Sequence, residues 1–235
     1  MTRVAIYGAT SAIAQETAKC FAAEGAALVL VARDEAKLAA VAADLAVRGA
    51  SAVETIVADL ADVSRHAEWM RDADVVLIAH GTLPDQKAID TDPAAQVDAF
   101  TLNATSLISI AAHAAVMLER RRGGTLAVIG SVAGDRGRRS NYVYGSAKAA
   151  VHTYCEGLRG RLRESGVNVL VIKPGWVDTP MTASMRKNPL FASAASVGRG
   201  ICDAVRARRG VAYVPWFWKW ISLIVRLMPE RFVKF

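Results

Sequence analysis

Val4-Ala-Ile-Tyr-Gly8-Ala-Thr-Ser-Ala12-Ile-Ala14 sets an apolar run of strand length, a glycine turn and the start of a helical pattern in direct succession. A strand that feeds a helix through so short a turn opens a βαβ unit, whose next strand lies parallel to the first. The spacing is that of a glycine-rich turn in which backbone amides and the helix dipole hold a pyrophosphate. Only the first glycine, Gly8, is present; Ala12 and Ala14 occupy the second and third places. Alanine is tolerated there if the dihedrals are right-handed, but its methyl limits how near the backbone comes to a phosphate. A plain strand-to-helix turn is the competing reading.

The same alternation continues along the chain. Strand patterns cover Val4–Tyr7, Ala27–Val31, Ala52–Val57, Val75–Ala79, Thr125–Ile129, Val167–Ile172 and Val211–Val214, with helical patterns near 12–24, 35–48, 62–72, 92–121, 142–165 and 196–208. Near-continuous apolar strands between helices predict an α/β protein: one doubly wound (Rossmann) parallel sheet of about seven strands with helices on both faces. Ligands of such a sheet bind beyond the carboxyl ends of its strands. Residues 1–214 form the predicted domain and 215–235 an aromatic and basic tail, with no linker or internal repeat dividing the chain. The stretch Gly175–Ser196, with Pro180 and Pro189, reads as a long functional loop, often a lid.

Of the 235 residues, 53% are hydrophobic and 22% charged, which is ordinary for a folded domain. Cys20, Cys155 and Cys202 lie far apart with no CxxC pair. Neither a disulfide framework nor a zinc site is predicted, and a reducing compartment fits. His66, His80, His113 and His152 show no metal-ligand spacing, so no metal is expected. The net charge of +7 gathers in clusters at Arg120–Arg122, Arg136–Arg139 and Arg206–Arg209. They are short and not interleaved with stacking aromatics, which speaks against nucleic acid and for solvated faces, a phosphate-bearing ligand or a membrane surface. Met1-Thr-Arg-Val enters a strand directly, so no signal peptide and a cytoplasmic location are expected.

Chemistry concentrates in the second half. Tyr144-Gly-Ser-Ala-Lys148 puts a phenol and an ammonium one turn apart on a helix face, and Ser131 stands thirteen residues upstream. A free tyrosine, with a pKa of about 10, exchanges protons poorly at neutral pH, and a nearby cation favours its phenolate. With Asn103 in Leu102-Asn-Ala-Thr and the later Lys173-Pro-Gly175, the pattern resembles the short-chain dehydrogenase/reductase family. The resemblance runs from Val4 to about Val214 and is more specific in the second half. It implies hydride transfer between a nicotinamide cofactor and a carbonyl or secondary alcohol. Tyr144 is then the acid/base and Ser131 orients the reacting oxygen. Lys148 lowers the pKa of the tyrosine and reaches the nicotinamide ribose, and Asn103 holds a water of the proton relay.

In the cofactor half the resemblance assigns Gly8, Thr10, Ser11, Ala12 and Ile13 to the phosphate turn and Asp59-Leu60 to the adenine. It places Ala79 and Gly81 beyond the fourth strand, and Pro174, Gly175, Val177 and Thr179 against the nicotinamide and phosphates. Asp59 reads nearly as well as a helix N-cap, and Pro174-Gly175 as a plain turn. At the end of the second strand, Ala32 offers no carboxylate to a ribose 2′-hydroxyl, while Arg33 offers a guanidinium to a 2′-phosphate. NADP is therefore expected over NAD, with an exposed, ligand-free Arg33 as the alternative. Ile78-Ala-His-Gly81 keeps only the glycine of the family's Asn-Asn-Ala-Gly, which marks a divergent branch, and His80 is read as structural rather than as a ribose contact.

A narrower resemblance lies in Gly134–Lys148 and Lys173–Met181, which are similar to the branch containing the reductase subunit of decaprenylphosphoryl-ribose epimerase. It implies a keto sugar carried on a polyprenyl phosphate as substrate and a flavin oxidase as partner. The arginines between Ser131 and Tyr144 suit a phosphate at the mouth of the site. In the tail, Trp216, Phe217, Trp218 and Trp220 beside Lys219 suit a peripheral membrane contact, a subunit contact in a homo-oligomer, or packing on the core. The uncharged stretch Trp220–Val225 is too short to cross a bilayer. Two other readings stand beside this one: a reductase of a soluble ketone or sugar nucleotide, and a non-catalytic NADP-binding sensor.

Overall fold

The strands of the sheet alternate between two cores. Val4 and Ile6 of the first strand, Leu28 and Leu30 of the second and Leu170 and Ile172 of the sixth face one side. Their neighbours Ala5, Tyr7, Val29, Val31, Val169 and Val171 face the other. Side chains in a strand alternate with period two, so strands apolar on every position need helices over both faces.

The computed structural model describes residues 2–229. In chain order its elements are β1 (Arg3–Tyr7), α1 (Ala12–Ala22), β2 (Ala27–Ala32), α2 (Glu35–Val47), β3 (Ala52–Val57), α3 (His66–Trp69), β4 (Val75–Ile78), α4 (Gln86–Ile89), α5 (Pro93–Phe100), α6 (Ser106–Arg121), β5 (Thr125–Ile129), α7 (Tyr142–Arg161), β6 (Asn168–Pro174), β7 (Val177–Asp178), β8 (Ala192–Ser193), α8 (Ala194–Arg206), β9 (Val211–Val214) and α9 (Trp218–Leu227). Seven strands form one parallel sheet in the order β3-β2-β1-β4-β5-β6-β9. This is the predicted doubly wound sheet. The order reverses between β1 and β4, and a crevice opens beyond their carboxyl ends. Helices α1, α2 and α8 cover one face; α6 and α7 cover the other.

Four segments differ from the expectation. The helix expected over 62–72 is reduced to a 3-10 turn, Val63–Arg65, and the single turn α3. Asp62 takes the Ser64 N–H, and the chain is already extended at Met70 (ψ 132°). It then runs straight to Asp74, whose carboxylate accepts the Arg3 N–H at 2.8 Å at the start of β1. The helical run over 92–121 widens into a π turn at Thr101–Thr105 between α5 and α6. Pro93–Arg121 is long and apolar enough to cross a membrane, yet half of its apolar window is buried in the protein. The stretch after β6 carries the pair β7–β8 and a turn at Pro180–Thr182, so it is built rather than a plain loop. The aromatic and basic tail, for which no helix was expected, forms α9. Trp218 and Ser222, one turn apart, face inward. Of the predicted tail segment, 230–235 lie outside the described residues.

Candidate active site

Beyond β1 to β4 lies a cleft of about 1000 Å³. Gly8, Thr10, Ser11, Ala12, Ile13, Arg33, Asp59, Leu60, Ala79, Gly81 and Thr179 all line it, together with Ala32 and His80. Gly8 has φ +89°, and a Cβ there would stand 2.5 Å from the His80 backbone nitrogen. The exits of β1 and β4 come this close only with glycine at that place. Ser11 is the N-cap of α1 but makes no side-chain hydrogen bond to it. The N–H groups of the first turn therefore remain available to an anion. Ala14 is fully buried, at the place where the helix meets the sheet.

Arg33 is exposed at the lip, beside the buried methyl of Ala32. It makes no ion pair among the described residues. Asp59 accepts the Ala61 N–H at 3.0 Å, and the cap of the following 3-10 turn is Asp62 rather than Asp59. The glycine cradle and uncapped helix start fit the pyrophosphate of a dinucleotide, and the Ala32–Arg33 pair fits a 2′-phosphate.

A second cleft, of about 870 Å³, adjoins the first and shares Ser11, Ile13, Ala79, His80, Gly81 and Thr179 with it. Its own wall contains Ser131, Tyr144, Lys148, Pro174, Gly175 and Val177. Ser131 follows the end of β5 and caps the turn Val132–Asp135 by accepting the Ala133 N–H at 3.1 Å. Tyr144 and Lys148 project from one face of α7. The Lys148 ammonium lies 5.6 Å from the Tyr144 ring centre and donates to the Ile129 carbonyl at 3.2 Å.

Burial pushes the Tyr144 phenol up to about 12, opposed by a hydrogen bond with Ser131. Burial pushes the Lys148 ammonium down to about 8. The direction at Tyr144 differs from the lowering expected of Lys148: here desolvation outweighs a cation 5.6 Å away.

Asn103 lines neither cleft. It is fully buried in the π turn, where its Oδ1 accepts the Thr82 N–H at 3.0 Å and its Nδ2 donates to the Ala99 carbonyl at 2.9 Å. A Cβ on Gly81 (φ +149°) would stand 2.6 Å from that Oδ1. Asn103 thus fixes the chain behind the cleft through one bond at each end of its side-chain amide. His80 is tied into the same wall. Its Nε2 meets Ser106 Oγ at 2.7 Å, and the single Ser106 hydroxyl proton goes to the Leu60 carbonyl. His80 must then donate from Nε2, which requires only the neutral ring. Burial, followed by repulsion from Lys148, pushes its pKa down to about 3.

Three supports, Gln86, Asp135 and His152, had no signal in the sequence. Gln86, on α4, caps α7 by accepting the Val143 N–H at 3.1 Å. Asp135 accepts from Lys173 at 2.5 Å and from Tyr213 at 2.8 Å, tying the Ser131 turn to β6 and β9. Burial raises the Asp135 carboxyl, but the Lys173 hydrogen bond and charge carry it below the usual carboxylate range. His152 stands against both Gly130 and Gly134, and its Nε2 accepts the Ser131 N–H at 3.4 Å. At the far side Trp218 of α9 packs on Gly175 and edge-on against Trp176, with ring centres 5.4 Å apart.

The chain is similar to known proteins over most of its length. The chain matches the short chain dehydrogenase family over residues 2–190. It is 35% identical over 237 aligned positions to an uncharacterized oxidoreductase of Mycobacterium tuberculosis, covering 98% of this chain and 94% of that one. A galactitol 2-dehydrogenase (L-tagatose-forming) of Cereibacter sphaeroides is 30% identical, with 79% of this chain and 75% of that one covered. Among solved structures, a short-chain dehydrogenase from Sphingobium yanoikuyae in complex with NADPH superposes with a TM-score of 0.85 at 26% identity, covering 98% and 97% of the two chains. A serine, tyrosine and lysine gathered on one cleft, beside a glycine turn and an uncapped helix start, are thus seen here in an oxidoreductase of the short-chain dehydrogenase/reductase family.

Proposed function

We propose that this chain is an NADP-dependent reductase of a carbonyl on a hydroxylated, sugar-like substrate. The observation that carries the reading is the meeting of Ser131, Tyr144 and Lys148 on a cleft continuous with a dinucleotide-shaped one. The bound nicotinamide supplies a hydride. The chain's own residues do the rest. Ser131 and Tyr144 hold the substrate oxygen, and the phenol, protonated at neutral pH and kept so well above it by burial, donates the proton that completes reduction. Lys148 offers its ammonium to the ribose. Gly8, Thr10, Ser11, Ala12 and Ile13 receive the pyrophosphate, Asp59 and Leu60 flank the adenine, and Pro174, Gly175, Val177 and Thr179 back the nicotinamide. Asn103 acts by holding Gly81 and Thr82 in place.

The test is NADPH consumption by the purified protein over a panel of ketoses, their phosphates and prenyl-phosphate-linked keto sugars. Absence of turnover with every carbonyl, alongside intact NADPH binding, returns the sensor reading. Within this proposal the finer substrate is the keto sugar on a polyprenyl phosphate, formed by a flavin oxidase partner in the cytoplasm. The galactitol 2-dehydrogenase relative favours the second reading, a soluble ketose.

Cofactor choice has its own experiment. A hydrogen bond to a charged group contributes about 1.5–3 kcal/mol. Arg33→Ala is therefore expected to weaken NADPH by about ten- to a hundred-fold in a fluorescence titration while leaving NADH nearly unchanged. Equal losses for both cofactors remove Arg33 from the 2′-phosphate.

A lipid-linked substrate gives a role to the outer face of α9, where Trp220, Leu223, Ile224 and Leu227 are exposed. Replacing Leu223, Ile224 and Leu227 with serine leaves the buried Trp218 in place. It is expected to reduce sedimentation with anionic liposomes without loss of NADPH binding. A variant that sediments as well as the parent ends the membrane proposal.

A further inference from the structure

The wall of the reacting cleft carries three buried polar atoms without a hydrogen-bond partner, His80 Nδ1, Arg138 Nε and Asn141 Oδ1, and the last two share one loop. Arg138 and Asn141 stand at the ends of one turn, closed by the Asn141 N–H donating to the Arg138 carbonyl at 3.2 Å. Both line the cleft with Ser131, Tyr144 and Lys148. Arg138 Nε and Asn141 Oδ1 are buried without a hydrogen-bond partner. Buried polar atoms are almost always satisfied, so each of these calls for an explanation. For Asn141 the cause is visible. It is the N-cap residue of α7, where its oxygen would ordinarily accept an N–H of the first turn. The Val143 N–H goes instead to Gln86, and Asn141 Oδ1 is left free.

The charges point the same way. No aspartate or glutamate lines this cleft, whereas Arg138 and Lys148 both do. The carboxylate that acts on Arg138 from a distance, Asp135, is already engaged by Lys173 and Tyr213. Burial pushes the Arg138 guanidinium below its ordinary value, the mark of a desolvated charge with incomplete compensation. Its neighbours are placed differently. Arg136 donates to the Arg226 carbonyl of α9 at 3.2 Å, and Arg139 is exposed and off the cleft wall.

We propose that Arg138 and Asn141 form the substrate-recognition pair of this enzyme: Arg138 binds a phosphate-type oxyanion of the substrate, and Asn141 accepts a hydrogen bond from one of its hydroxyls. A guanidinium fork matches such an oxyanion, and a hydroxylated ligand supplies the donor that Asn141 lacks. The inference rests on the reading that this cleft takes the substrate, but its test reads binding and not turnover, so the two can fail separately.

The NADPH-loaded protein, its cofactor phosphate sites filled, is titrated calorimetrically with ribose, ribose 5-phosphate and farnesyl phosphate. Ribose 5-phosphate or farnesyl phosphate is expected to bind at least about tenfold more tightly than ribose, the lower end for a hydrogen bond to a charged group. Whichever phosphate binds more tightly names the carrier, soluble sugar or lipid. Arg138→Gln is expected to abolish that preference, and Asn141→Asp, which sets a carboxylate beside the anion, to reverse it. Arg139→Gln should change nothing, and NADPH affinity should be unaltered in all three variants. Equal binding of ribose and both phosphates, or an undiminished preference in Arg138→Gln, overturns the proposal.

Discussion

Tyr144→Phe is expected to lower turnover by about 10²–10⁴-fold while leaving NADPH affinity unchanged. The substitution removes one oxygen from a half-buried ring and nothing else. The ring keeps its place on α7, whose cap at Gln86 and whose neighbour Lys148 are untouched. The oxygen that disappears is the one beside Ser131, and its high pKa holds the proton in place until a carbonyl oxygen takes it. Ser131→Ala tests the other half of this pair. It leaves the proton donor in place, so it should raise KM and lower kcat by less than Tyr144→Phe does. Steady-state rates with any accepted ketose, beside a fluorescence titration of NADPH, separate the two. Near-parental turnover in Tyr144→Phe removes the tyrosine from proton transfer.

The sheet was legible in the chain because its signals are local. Ala52–Val57, Thr125–Ile129 and Val211–Val214 are strands with the bounds that their apolar runs suggest. Thr125–Ile129, buried at every position, has no exposed residue to blur its ends, whereas the edge strands Ala52–Val57 and Val211–Val214 are half exposed and are marked by their β-branched residues. The 62–72 segment shows the converse. Its helical pattern is real, but Asp62 turns the backbone locally through Ser64, and Asp74 draws the exit to Arg3, a partner that lies in another element.

The site divides along the same line. Tyr144 and Lys148 are one turn apart, so their meeting is written in the spacing. Gln86, Asp135 and His152 reach the site across the fold, and no pattern near them in the chain announces it. The arginine-rich loop contains three arginines with the same local character. Packing alone distinguishes Arg138, on the cleft wall, from Arg136, bound to α9, and Arg139, in solvent. The tail is similar: its aromatic run was evident, but only the fold brings Trp218 against Gly175, a residue of the reacting cleft's wall.

Lys148→Met is expected to weaken NADPH and to lower kcat together, with a combined loss in kcat/KM above 10²-fold, since one ammonium serves both ribose and proton transfer. The pH profile identifies it independently. Lys148 is pushed down to about 8 by burial. Its ammonium is therefore lost as pH rises through about 8, and kcat/KM for NADPH, which reports the free enzyme, should fall on that alkaline side. No other titratable group lining the cleft accounts for such a limb: Tyr144 is raised to about 12 and His80 lowered to about 3, while an arginine stays charged. Stability moves in the opposite sense. Between about 8 and the ordinary 10.5, the unfolded chain holds more protons on this amine than the folded one. Folding is thus favoured as pH rises through that window, so a falling rate there cannot come from unfolding at Lys148. The methionine variant, with no ammonium to lose, should show a flat profile across the same range. A limb near pH 8 that persists in Lys148→Met would assign the titration to another group and take the lysine out of cofactor binding.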